Sequence, residues 1–282
     1  MSKILSSYSF LPWLRIGISN QISADDKDPA VKLRAPIDVD LTIKADGQTV
    51  NPPITQKVGL YGPADIVGID SKAIVRTDPR DWITNFEPNY LASIEFYDED
   101  FPWRYTPAKP DNKDRLRPWL SLVVLKDGEF DNGKNMTDRP LPYIEIKENA
   151  ADLFPPADQL WAWSHVHVDA DLIEDDKPNP EDPANPIQRV VPDINDASMI
   201  DKIKAEYQSV YKKDPDAAYS RIMCPRRLEA NTGYHAFLIP TFESGRLAGL
   251  GLDVESHFEA ENSPLYATFS AWENYQDKQE AT

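Results

Sequence analysis

His165 and His167 stand two residues apart in WAWSHVHVDAD (Trp161–Asp171). On a β-strand both rings leave the same face. Asp169 and Asp171 continue that parity, and Glu255 precedes His257 by the same spacing. Paired histidines with a carboxylate are a ligand set for Zn²⁺ or Fe²⁺. The same alternation also describes a plain amphipathic strand. Trp163 shares the histidines' parity, while Ala162, Ser164, Val166 and Val168 take the other face. The strand is the simpler reading, and no metal ligand is assigned.

Other spacings fall short of a reaction. The chain holds no GxSxG, no HExxH and no cysteine–histidine protease signature, so nucleophilic and zinc-protease chemistry have no anchor. Cys224 lies in MCPRR beside Arg226 and Arg227, which would lower its pKa if they faced it. A small buried hydrophobe before a proline is the plainer alternative. GRLAGLG (Gly245–Gly251) lacks both the third glycine of a dinucleotide loop and the lysine of a phosphate loop. Its glycines suit close backbone packing or a bend. Carboxylates crowd YDEDFPW (Tyr97–Trp103), next to Phe96, Tyr97, Phe101, Trp103 and Tyr105. Two carboxylates and a stacking platform would serve a glycosidase or a glycan-binding protein. The same aromatics serve equally as core or as interface anchors. No catalytic residue and no cofactor is expected, and the chain reads as a non-enzyme.

The elements that must position these residues are mainly β. VKLRAPIDVDLTIK (31–44) alternates apolar and polar at period two. The turn ADGQ (Ala45–Gln48) follows, with a return strand expected around Gln56–Leu60. Further strands are expected at Ile74–Thr77, Leu91–Phe96, residues 141–147, Trp161–Val168 and residues 234–242. Leu120–Leu125 is a continuous apolar run and reads as a strand buried on both faces. Met199, Ile200, Ile203, Tyr207 and Val210 recur at helical spacing, closed by Lys212, Lys213 and Pro215. Residues 8–22, YSFLPWLRIGISNQI, predict a short amphipathic helix with Pro12 in its first turn. The fold class is therefore mainly β with a few helices (α+β), built of antiparallel sheets and rich in loops and proline. Four segments follow: an N-terminal docking segment (1–25), a β-rich core (26–173), an acidic Pro-rich loop (174–197) and a helix plus β segment completing the same core (198–282).

Composition narrows the partners. Among 282 residues, 47 acidic against 30 basic side chains leave a net charge of −17. That charge repels nucleic acid and anionic membranes and suits a basic protein partner. One cysteine excludes an intramolecular disulfide. No run approaches the ~20 apolar residues of a membrane span. The N-terminus lacks a secretory apolar core, so a cytoplasmic location during assembly is expected. Proline outnumbers glycine, 25 to 11, which disfavours long helices and central strands.

Three stretches carry a family resemblance. They are FLPWLRIGIS (Phe10–Ser19), the region Val67–Val124 and CPRRLEANTGYHAFLIPTFESGRLAGLG (Cys224–Gly251). The central region includes VGIDSKAIVRTDP, FEPNYLASIEFYDEDFPWRYTPA and RLRPWLSLVVL. In this order they resemble proteins encoded with extracellular, phage-tail-like contractile injection systems. The resemblance implies a structural part of a six-fold symmetric particle, assembled in the cytoplasm and leaving the cell with it. The chain is unlike the usual tube, sheath and cap proteins. An adaptor at the cap end of sheath and tube is the expected role, with a baseplate-associated shell element as the alternative. Expected partners are sheath, tube, cap or baseplate proteins. Longer relatives continue past GRLAGLG into a further domain, and here the match fades through SPLYATFSAWENY. Under this reading the contact residues are Phe10, Trp13, Leu14 and Arg15, then Phe101, Trp103 and Arg104, then Arg226 and Arg227. Arg115 and Arg117 are further candidates for pairing with carboxylates across an interface.

Overall fold

The computed structural model describes residues 34–45, 48–111, 115–133, 139–168, 175–178, 187–190, 202, 205–206, 208–210, 212–260 and 268–272. The N-terminal helix expected at 8–22, with Phe10, Trp13, Leu14 and Arg15, lies outside them.

Antiparallel pairing dominates, as the alternating sequence requires. Strands β1 (Pro36–Ala45) and β2 (Gln48–Gly59) form a long two-stranded hairpin. The return strand is longer than expected and runs through Pro52 and Pro53. Both prolines fall where the register slips between Leu41 and Ile43. A bulge tolerates residues that cannot donate to the ladder.

Strands β3 (Ile74–Asp78) and β4 (Ser93–Phe96) join β8 (Ser164–Val168) and β11 (Ala218–Met223) in a four-stranded sheet of order β3-β4-β11-β8. Strand β5 (Leu120–Lys126) pairs with β12 (Tyr234–Pro240), and β6 (Phe130–Asn132) with β7 (Ile144–Ile146). Inside the acidic segment read as a loop, β9 (Asp175–Pro178) and β10 (Ile187–Val190) pair as a hairpin. The reading of Trp161–Val168 as one strand needs correcting. A 3-10 turn, Ala157–Trp163, precedes β8.

The core lies between the four-stranded sheet and β5. Ile94, Phe96, Ile222 and Cys224 from one side meet Leu120, Leu122 and Val124 from the other, with Phe101, Trp119 and Phe242 closing the cluster. Strand β5 alternates its partners. Its even residues face this cluster, while Ser121, Val123 and Leu125 are also buried on the opposite face. Burial on both faces explains its apolar run, interrupted only by the small Ser121, although its pairing is antiparallel.

Helix is sparse. Residues 202, 205–206, 208–210 and 212–213 are helical, where apolar residues recur at helical spacing. Three short helices follow no such periodicity: α1 (Ala150–Leu153), α2 (Glu243–Gly249) and α3 (Val254–Ala260). Helix α2 coincides with the glycine-rich GRLAGLG stretch. Its Gly245 is required by contact, since a Cβ there would meet Pro63 Cβ at 2.9 Å and Pro240 Cβ at 3.0 Å. Its end is set by Gly251, whose φ is 70°. The Gly251 amide donates to Ala248 O and the Leu252 amide to Leu247 O, which is a Schellman stop. Among the described residues, no helix is long and apolar enough to cross a membrane.

Candidate interaction surface

The histidine strand is the first site to test. Strand β11 sits between β8 and β4, so Arg221 lies opposite His165 on one side and Glu95 on the other. Arg76 of β3 stands opposite Glu95 in turn. One face of the sheet thus carries the row Arg76, Glu95, Arg221, His165. Glu95 is only 4% exposed. Arg76 Nε donates to its Oε2 at 2.7 Å, and Arg221 Nε donates to Oε1 at 2.8 Å. A buried carboxylate held by two guanidinium groups is a satisfied structural charge. His167 stacks on Tyr219, with centroids 5.3 Å apart and planes at 15°. Burial lowers the pKa of both histidines, and Arg221 lowers each further. The two histidines share a face, as their spacing predicts. His257 lies elsewhere, 3.9 Å from Glu243 Oε1 at the start of α2. Among the described residues no three His, Cys, Asp or Glu side chains gather as a metal site.

Cys224 is buried in the core, and its amide donates to Ala92 O at 2.8 Å. Burial pushes the thiol pKa up. Arg226 pulls the thiol pKa down, but burial outweighs it, and the guanidinium is engaged by other groups. Arg226 donates to both carboxylate oxygens of Glu129, each at 2.6 Å, and to Val124 O. Arg227 is exposed and donates to Asn89 Oδ1 at 3.2 Å.

The remaining expected contact residues divide by burial. Phe101 is 6% exposed and stacks on Phe96, with centroids 4.4 Å apart. Trp103 is half-buried, and its indole N–H donates to Leu116 O at 3.1 Å. Arg104 is half-buried and clamps Asp98 and Asp100. Of the aromatics near YDEDFPW, Tyr97 is exposed, Trp103 and Tyr105 are half-buried, and Phe96 lies in the core. Arg115 pairs with Asp111 and covers the Trp161 ring at 4.3 Å. Arg117 lies over Phe242 at 4.1 Å and donates to Thr268 O.

Among the described residues, exposed apolar side chains also gather at two places that motif reading did not single out as contact sites. The first is the β1–β2 hairpin. Its register puts Ile37 opposite Val58 and Leu41 opposite Ile54 on one face, and Asp38 opposite Lys57 and Asp40 opposite Thr55 on the other. Leu41, Ile54 and Val58 are 50%, 54% and 42% exposed. A two-stranded hairpin is marginal by itself in water, and this one leaves Leu41, Ile54 and Val58 exposed, with Ile37 and Val39 half-buried. The alternation in the sequence foretold the face but not that it would stay open.

The second is the loop between β3 and β4. Trp82 is 98% exposed and has a φ of 61°, in the left-handed region that bulky residues avoid. Ile83, Tyr90 and Tyr97 are exposed near it in sequence. The available signal was a tryptophan within the loop chemistry of TDPRDWITNFEPN. Compared with protein-family models, with curated proteins and with solved structures, the chain finds no match.

Proposed function

We propose that this chain is a structural, non-catalytic component of a phage-tail-like contractile injection particle, serving as an adaptor at the cap end of sheath and tube. The resemblance of Phe10–Ser19, Val67–Val124 and Cys224–Gly251 to proteins of such gene clusters supplies the assembly. The observation that carries a joining role is the open β1–β2 hairpin. Its apolar face gains stability by docking on a neighbour, and the outer edge of β2, which pairs with no further strand among the described residues, offers backbone hydrogen bonds to an added strand. Trp82 supports the same reading, since exposed tryptophan is the residue type most enriched at interface hot spots. The ionic groups fit as well. The buried charges named above are matched within the chain, as structural charges are.

Electron microscopy of particles purified through a tag on this chain tests the proposal. Label at one end of contractile rods is the expected result. The end opposite the baseplate identifies the cap adaptor, and the baseplate end identifies the shell element instead. A tagged chain that purifies alone, without rods, overturns the particle reading.

A further inference from the structure

The backbone of β2 presents a defined row of hydrogen-bonding groups. The Leu60 amide donates to Ala35 O at 2.9 Å, so these opposed residues form a hydrogen-bonded pair at the end of the β1–β2 ladder. Such pairs alternate along an antiparallel ladder with pairs that exchange no bond. Ile37–Val58, Val39–Gln56 and Leu41–Ile54 are therefore hydrogen-bonded pairs, with Asp38–Lys57 and Asp40–Thr55 between them. Pro36, opposite Gly59, fits this phase because it has no N–H to give the ladder. The amides and carbonyls of Thr55, Lys57 and Gly59 thus point away from β1. Lys57 O accepts instead from the Gln56 side chain, whose Nε2 donates to it at 3.1 Å. Ile54–Gly59 are all exposed, and among the described residues no strand pairs along this edge.

This edge is complementary to itself. Two copies related by a two-fold axis at Gln56 align antiparallel, with outward-pointing residues facing one another. Thr55 then faces Lys57 of the second copy, and Lys57 faces its Thr55. Gln56 meets Gln56, and Ile54 meets Val58, on the face that already carries Leu41. Charge selects this edge and this register. Gln48–Gly59 contains no acid, on a chain of net charge −17. Along β1, self-pairing centred on Asp38, Val39 or Asp40 sets aspartate against aspartate. Centring β2 on Lys57 sets lysine against lysine. Like charges directly opposite are destabilising. Strand number favours the contact as well, since a hairpin alone is marginal and three or more strands are stable.

We infer that a second copy of this chain pairs with the outer edge of β2, antiparallel and centred on Gln56, so that two hairpins form one four-stranded sheet of order β1-β2-β2-β1. The contact is isologous, the same strand on both copies. It uses the edge and leaves the apolar face of the sheet open. The inference concerns the free chain and does not rest on the particle reading, because rods can form whether or not the free chain dimerises.

Disulfide capture in the full chain tests it. Gln56→Cys places two thiols across the axis, where opposed Cβ atoms stand about 4.5–5.5 Å apart. Val39→Cys, one strand further from the axis in each copy, is the control. The native Cys224 is buried and stays out of the reaction. Mild oxidation should link Gln56→Cys into a dimer at least ten-fold more than Val39→Cys. Equal yields, or no linked dimer in either, overturn the inference. Light scattering gives a readout that needs no cysteine. The unaltered chain should weigh twice its 32.0 kDa and dissociate on dilution. Thr55→Pro removes an outward N–H that the β1 ladder does not use, and should weaken the dimer at least ten-fold. Thr55→Glu sets a carboxylate opposite Lys57 of the second copy, and should tighten it. A monomeric unaltered chain, or a dimer that Thr55→Pro leaves intact or Thr55→Glu loosens, refutes the pairing.

Discussion

Arg226 and Glu129, 97 residues apart, meet in a two-pronged pair with both N–O distances at 2.6 Å. Glu129 also accepts from the Lys126 amide at 2.7 Å. The pair thereby ties the β5–β6 turn to the segment that follows β11. Arg226 lies over the Tyr234 ring as well, 5.5 Å from its centroid.

Arg226→Met should cost roughly 1–3 kcal/mol, because it leaves a mostly buried carboxylate without its charged donor. The hydrogen bond from Arg226 lowers the Glu129 pKa. A depressed carboxylate contributes stability above its unfolded value, ~4.3. That contribution is lost as pH falls through the lower, folded value. Urea denaturation at pH 7 and pH 3.5 should show a difference between the two proteins that shrinks on acidification. An equal difference at both pH values would contradict the assignment.

The histidine row predicts a dependence at higher pH. Burial, and then the Arg221 charge, lower the pKa of both His165 and His167, with Glu95, Arg76 and Tyr219 on the same face. Their folded pKa values lie below the unfolded one, ~6.5, so the unfolded chain binds more protons in that window. Stability is full above ~6.5 and falls as pH drops from there toward the folded values. The double variant His165→Gln, His167→Gln should flatten the slope between pH 7.5 and pH 5.5. Parallel slopes for the two proteins would reject the effect.

Gly245→Ala should destabilise the fold by about 1–3 kcal/mol, the usual range for overpacking. The added Cβ meets two proline rings, Pro63 and Pro240, at 2.9 and 3.0 Å, and neither can rotate away. Equilibrium unfolding measures the loss. An unchanged midpoint would mean that α2 shifts at no cost.

Leu41→Asp with Ile54→Asp should leave stability within about 0.5 kcal/mol, as exposed substitutions do. Incorporation into tagged particles should fall at least ten-fold. A variant that melts normally and still enters rods at the ordinary level would remove the hairpin as the docking arm.

Local pattern alone determined much of this chain. Period-two alternation located β1, and the sequence reading expects strands where β3, β4 and β12 form. The apolar run at Leu120–Leu125 announced a strand covered on both faces, and helical spacing marked the stretch ending at Lys213. These features are legible because each residue's neighbours in sequence decide them. Tertiary packing decided the rest. GRLAGLG places two glycines, Gly245 and Gly249, inside the helix, each costing it up to ~1 kcal/mol relative to alanine. It forms α2 because only a residue without a Cβ fits against Pro63 and Pro240. Pro52 and Pro53 lie within a strand because the hairpin has a bulge to hold them. Whether Arg226 activates Cys224 or pairs with Glu129 depends on residues about a hundred positions away, which no local spacing encodes. The same holds for exposure. Trp82 and Trp119 look alike in sequence, yet one is open to solvent and the other is core, because only the folded chain decides which surfaces find a partner.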